Sequence, residues 1–106
     1  MRRMFLADQL VPEKSPQQKW ESAQGRLVKV FIHNDMVTPM DFVVHVLITV
    51  FLVPSPNAEH IMYTAHLTGS AYVQTLPSAE AQLRVNKARF VAGLSGLPLQ
   101  FSMEPE

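Results

Sequence analysis

From Phe42 to Val53 the chain runs through twelve residues of which only His45 and Thr49 are polar, and the run stops at Pro54. A transmembrane helix needs about 20 apolar residues, so this stretch is too short to cross a bilayer. A segment this apolar must instead be buried in a folded domain. In 106 residues there is room for one domain with a single modest core. The opening Met1-Arg2-Arg3 leads into no long apolar stretch and does not read as an export signal. The expectation is a small soluble protein. The absence of cysteine excludes a disulfide scaffold and a thiolate metal site, and fits the cytoplasm.

Nine basic and nine acidic side chains give a formal net charge of zero, which argues against nucleic acid or an anionic membrane as partner. The charges are unevenly spread. Residues 27–106 hold four basic and six acidic side chains against 41 apolar ones. That surplus implies apolar surface set aside for a ligand or a partner.

Residues 1–26 show no sustained period, and Pro12 and Pro16 interrupt them. They read as a flexible N-terminal extension ahead of a core domain at 27–106. Met4-Phe5-Leu6 and Trp20 stand out in it, either as weak contacts to the chain's own domain or as a grip on a partner. Leu27-Val28-Lys29-Val30-Phe31-Ile32-His33 reads as a strand with Val28, Val30 and Ile32 on one face. A loop follows, then Thr38-Pro39-Met40-Asp41, in which Thr38 is the expected N-cap, Pro39 the first helical residue and Asp41 the end of a capping box. The helix should run to about Leu52, with Asp41, His45 and Thr49 as its polar stripe and Met40, Val43, Val44, Leu47 and Phe51 buried.

Ser55-Pro56 announces a second helix with Ile61, Met62 and Ala65 inward, closed by Gly69. Ala71–Thr75 is a candidate strand. A third helix spans Ser78 to about Ala92, ended by Gly93 and Gly96. Leu99, Phe101 and Met103 then alternate with polar residues in the clearest strand pattern of the chain. The order β-α-α-β-α-β predicts an α/β sandwich, three helices on a small three-stranded antiparallel sheet.

Enzyme signatures are missing: there is no phosphate loop, nucleophile elbow or zinc helix. His33, His45, His60 and His66 fall on separate elements and faces, so neither a metal site nor a cofactor is expected. Asn34-Asp35 is more informative. Side by side at a strand end, an amide carbonyl and a carboxylate either make local turn hydrogen bonds or accept from an ammonium group.

The stretch Val28-Lys29-Val30-Phe31-Ile32-His33-Asn34-Asp35-Met36-Val37-Thr38-Pro39-Met40-Asp41-Phe42-Val43 resembles the ClpS adaptors of the Clp proteases, which show a strand, Asn-Asp, then Thr-Pro-Met, an acid and Phe-Val. Ile61-Met62, Ala65-His66, Gly69, Pro98-Leu99 and Met103-Glu104 extend the likeness over residues 27–106. The resemblance implies a non-enzymatic adaptor that binds N-degrons, peptides with a free N-terminal Leu, Phe, Tyr or Trp. By it Asn34, Asp35 and His66 would hold the α-ammonium group, and Thr38, Met40, Val43, Met62, Ala65 and Leu99 would line the side-chain pocket.

The implied partner is an AAA+ unfoldase, through the N-terminal domain of ClpA or ClpC. It would dock on the third helix, where Arg84 keeps the family's basic residue and the extension before Gly25 takes part in delivery. A monomer is expected. Met36 replaces an acid, Val37 an aromatic, Ala65 a larger aliphatic and Ala79 an acid of the family pattern. These departures leave room for a divergent paralogue that modulates or inhibits the unfoldase, or for a general protein-interaction module without a degron pocket.

Overall fold

The computed structural model describes residues 25–106. Apart from Gly25 and Arg26, the expected N-terminal extension lies outside the described residues. The element order is β1 (Leu27–His33), α1 (Met40–Thr49), α2 (Ser55–Thr68), β2 (Ser70–Pro77), α3 (Ser78–Leu94) and β3 (Gln100–Pro105). β1 is the middle strand of a three-stranded antiparallel sheet, ordered β2-β1-β3.

The alternation read in β1 sets the two layers. Val30 and Ile32 are fully buried beneath the helices, and Phe101 of β3 joins them from the neighbouring strand. The opposite face carries an edge-to-face contact between Phe31 and Tyr72, ring centroids 5.9 Å apart, and is open among the described residues, with Tyr72 half exposed. One covered and one open face is the usual arrangement of an antiparallel sheet. A register shift between Val30 and Phe31 marks a bulge in β2, one of the two edge strands.

α3 crosses all three strands. It lies close because its inward positions are Ala81, Val85, Ala88 and Ala92, spaced i, i+4, i+7, i+11 and mostly small. α2 packs on β2, and α1 packs on α2. Phe51 and Phe101, centroids 5.2 Å apart, fill the space under α1's C-terminal end.

Several local expectations differ from what is observed. Thr38 does not cap α1: Pro39 sits at the N-cap, and no side chain bonds there. The Thr38 hydroxyl donates instead to Asp35, whose charge makes it the stronger acceptor. At α2 the cap position is Pro54 and Ser55 is the first helical residue, a one-residue offset. α1 stops at Thr49 rather than near Leu52, because Leu52 takes a left-handed φ of 59° and Val53 N–H turns back to Leu47 O at 3.0 Å.

On α1, Val46 is fully buried, whereas Met40 is 44 % exposed at the mouth of a cavity. On α2, Ala58 joins Met62 and Ala65 as buried, with Ile61 only partly so. Gly93 lies inside α3, which is closed by the turn at Gly96, φ 67°.

Candidate functional site

The site is built by the loop between β1 and α1. Asp35 organises it. One carboxylate oxygen, Oδ1, accepts the backbone N–H groups of Val37 at 2.8 Å and Thr38 at 2.6 Å, and Oδ2 accepts the Thr38 hydroxyl at 2.8 Å. Partial burial pushes this carboxyl's pKa up, but the donors from Thr38 and Val37 outweigh that and hold it below the ordinary value of 3.8. A carboxylate offers about four acceptor positions, so with three filled Asp35 keeps one, together with its full charge.

The other side of the site comes from α2. Met62, Ala65 and His66 follow at i, i+3, i+4 and therefore share one face. Gly69 ends this helix in a left-handed conformation, φ 101°, with its N–H on Ala65 O at 2.8 Å. Its own carbonyl accepts the Asn34 N–H at 2.9 Å. That bond ties the Asn34-Asp35 loop to the end of α2 that carries His66.

Between loop and helix lies a cavity of about 340 Å³, within the size range of small-ligand sites. All nine residues expected to bind a peptide N-terminus line it: Asn34, Asp35, Thr38, Met40, Val43, Met62, Ala65, His66 and Leu99. Met62, Ala65 and Leu99 are buried and make the floor. Asn34 and His66 are exposed at the rim, and among the described residues neither side chain has a hydrogen-bond partner.

Ile32, His33, Met36, Val37 and Pro39 line the cavity as well. Met36 is 98 % exposed, so the rim is apolar at the point where it is most open. Two apolar residues, Met36 and Val37, in the loop between β1 and α1 were the available signal for this. His33 is turned away from the rim by the bond of its Nε2 to Ser102 Oγ, 2.7 Å across β1 and β3. Among the described residues no three His, Asp or Glu side chains gather as a metal cluster would require.

Arg84 stands apart from the cavity. Its Nη1 donates to Phe51 O at 3.0 Å and to Gln74 Oε1 at 3.4 Å, and its Nη2 pairs with Glu80. It joins α3 to β2 and to the chain just after α1.

A family model described as "ATP-dependent Clp protease adaptor protein ClpS" matches residues 23–102. The chain belongs to the ClpS family. It is 38 % identical over 91 residues to the ATP-dependent Clp protease adapter protein ClpS of Desulfatibacillum aliphaticivorans, covering 86 % of each chain. Identity to ClpS 2 of Agrobacterium fabrum is 35 % over 91 residues, with 86 % of this chain and 88 % of that one covered. The solved structure of Agrobacterium tumefaciens ClpS2 bound to L-phenylalaninamide superposes with a TM-score of 0.73 at 36 % identity, over 77 % of this chain and 99 % of that one. Three helices on an antiparallel sheet are thus the ClpS fold, and the chain is an adaptor-family protein. Among the described residues no helix is long and apolar enough to cross a membrane.

Proposed function

We propose that the chain captures peptides and proteins through a free, bulky hydrophobic N-terminal residue and hands them to an AAA+ unfoldase of the Clp protease. One observation carries this reading. A single cavity has an apolar floor of Met62, Ala65 and Leu99 and a rim where Asn34, Asp35 and His66 offer acceptors. A protonated α-amine needs acceptors, and the side chain beside it needs an apolar slot. L-phenylalaninamide, the ligand of the related Agrobacterium protein, presents a free amine next to a benzyl side chain, the same two features.

The magnitudes suit a transient carrier. Charge-assisted hydrogen bonds contribute roughly 1.5–3 kcal/mol each, and burial of a Leu or Phe side chain a further ~1.5–3 kcal/mol. After the cost of association, micromolar affinity follows, about −8 kcal/mol. Met40 and Met62 are flexible enough to pack against either aliphatic or aromatic guests.

In this reading residues 1–26 are the extension used in delivery, and the protein works as a cytoplasmic monomer. The first turns of α3 meet the N-terminal domain of ClpA or ClpC. Arg84 shapes that surface chiefly by bracing it, since most of its donors are engaged within the fold. Chemistry on the substrate is left to the protease, and neither metal nor cofactor enters.

Fluorescence anisotropy with labelled peptides tests the binding step. Peptides beginning with Leu or Phe should bind, and the same peptides N-acetylated, or begun with Ser, should not. Equal binding of free and acetylated peptides would sink the ammonium site. Removing residues 1–25 should spare peptide binding and abolish delivery to the protease; retained delivery would refute the extension's role.

A further inference from the structure

Of the large apolar side chains that line the cavity, Met36 is the most exposed at 98 %, followed by Val37 at 62 % and Met40 at 44 %. Met36 and Val37 stand together at the tip of the β1–α1 loop, and that tip is held from both sides. Asp35 Oδ1 accepts the N–H groups of Val37 and Thr38 at 2.8 and 2.6 Å, and the Asn34 N–H is bonded to Gly69 O at 2.9 Å. From Asn34 to Met40 only Asp35 is charged, and three donors of its own loop engage its carboxylate. Apolar side chains scattered singly over a surface are ordinary. Three gathered around the mouth of one cavity make a contact surface.

We propose that Met36, with Val37 beside it, is the contact for the second residue of the bound peptide, so that the protein selects a large apolar residue after the bulky first one. This rests on the reading of the cavity as a site for an amine and its side chain. Chain geometry then limits where the second residue can go. With the amine at Asn34, Asp35 and His66 and the first side chain on Met62, Ala65 and Leu99, the first residue takes up the closed side of the cavity. The second Cα follows the first by about 3.8 Å and stands at the rim, and Met36 follows Asp35 by the same step.

The chemistry of the tip decides what it accepts. An apolar second side chain and Met36 shield one another from water, whereas glycine offers no surface to cover. A carboxylate brought against the thioether loses hydration and meets no charged donor in return. An unbranched methionine adapts to Leu, Met or Phe alike. The floor thus measures the first side chain and the loop tip the second.

Fluorescence anisotropy with peptides that differ only at the second residue tests this. Peptides beginning Leu-Leu should bind about three- to tenfold more tightly than those beginning Leu-Gly. Peptides beginning Leu-Glu should bind no better than Leu-Gly. Met36→Ser should bring the Leu-Leu to Leu-Gly affinity ratio close to one, and Met36→Glu should reverse the order, so that Leu-Lys outranks Leu-Leu. The ratio in the unsubstituted protein needs no variant, and circular dichroism checks the fold of both substitutions. Equal affinity for Leu-Leu and Leu-Gly, both lost on N-acetylation, would overturn this inference and leave the reading of the cavity standing. A preference that survives Met36→Ser in a folded protein would overturn it too. Failure of both free peptides to bind would overturn the reading of the cavity and this inference together.

Discussion

Asp35 and Thr38 are joined twice: the Thr38 N–H reaches Asp35 Oδ1 at 2.6 Å, and its hydroxyl reaches Oδ2 at 2.8 Å. The pair closes the loop that carries the candidate amine site and delivers the chain into α1. A residue proposed to face the ligand is therefore also the residue that shapes the loop.

This pair of hydrogen bonds has a pH signature. The Asp35 carboxyl titrates below its ordinary value of 3.8 in the folded protein, so its stabilising effect is complete above that pH and is lost as pH falls through the lowered folded value. Asp35→Asn should cost about 1 kcal/mol near neutral pH, comparable to losing a helix cap. In urea unfolding the gap between the two proteins should be constant above about pH 5 and should narrow steadily below pH 4. A gap that widens on acidification would contradict this.

Gly69 ties the helix end to the site. At φ 101° a side chain is strained, although a Cβ there would meet no neighbouring atom within 4 Å. Gly69→Ala should lower stability by roughly 1–2 kcal/mol through backbone strain alone. Because the Gly69 carbonyl holds the Asn34 N–H, peptide affinity should drop as well. Thermal unfolding and anisotropy on the same sample separate the two effects.

Ala65 sets the depth of the cavity floor. It is buried and lines the cavity, so Ala65→Leu places three more carbons into the guest's space. Binding of Trp-first and Phe-first peptides should weaken about tenfold or more, and that of Leu-first peptides less, since overpacking costs about 1–3 kcal/mol where nothing can yield. Competition titrations with the peptides measure the ratio.

Arg84 is a brace. Arg84→Met should destabilise by about 1–3 kcal/mol, because it strips the Phe51 carbonyl and Glu80 of a charged donor. Arg84→Lys should recover little, since a single ammonium cannot span the three acceptors that the planar guanidinium reaches. Denaturation midpoints of the two variants check both statements.

The sequence alone determined the elements and their order. The alternation at Val28, Val30 and Ile32, and again at Leu99, Phe101 and Met103, shows the inward face of β1 and β3 because a strand's side chains must alternate. Asn34-Asp35, Met40, Met62 and His66 were legible as a candidate site only through their likeness to a known family, and in the fold they line one cavity.

What each polar group bonds to was decided only by the tertiary structure. Thr38 reads locally as an N-cap, yet a carboxylate within reach outcompetes the helix end for its hydroxyl. Arg84 enters from the sequence only as the basic residue of an implied docking face, yet the fold brings Phe51 O and Gln74 to it from 33 and 10 residues away. Met40, which helical periodicity assigns to the buried side, stands half exposed because a cavity opens beside it, while the core closes over Val46, which that reading leaves out. Periodicity records which face of an element is apolar. Whether that face meets a core, a ligand cavity or another segment depends on where its neighbours lie, and distant contacts fix that.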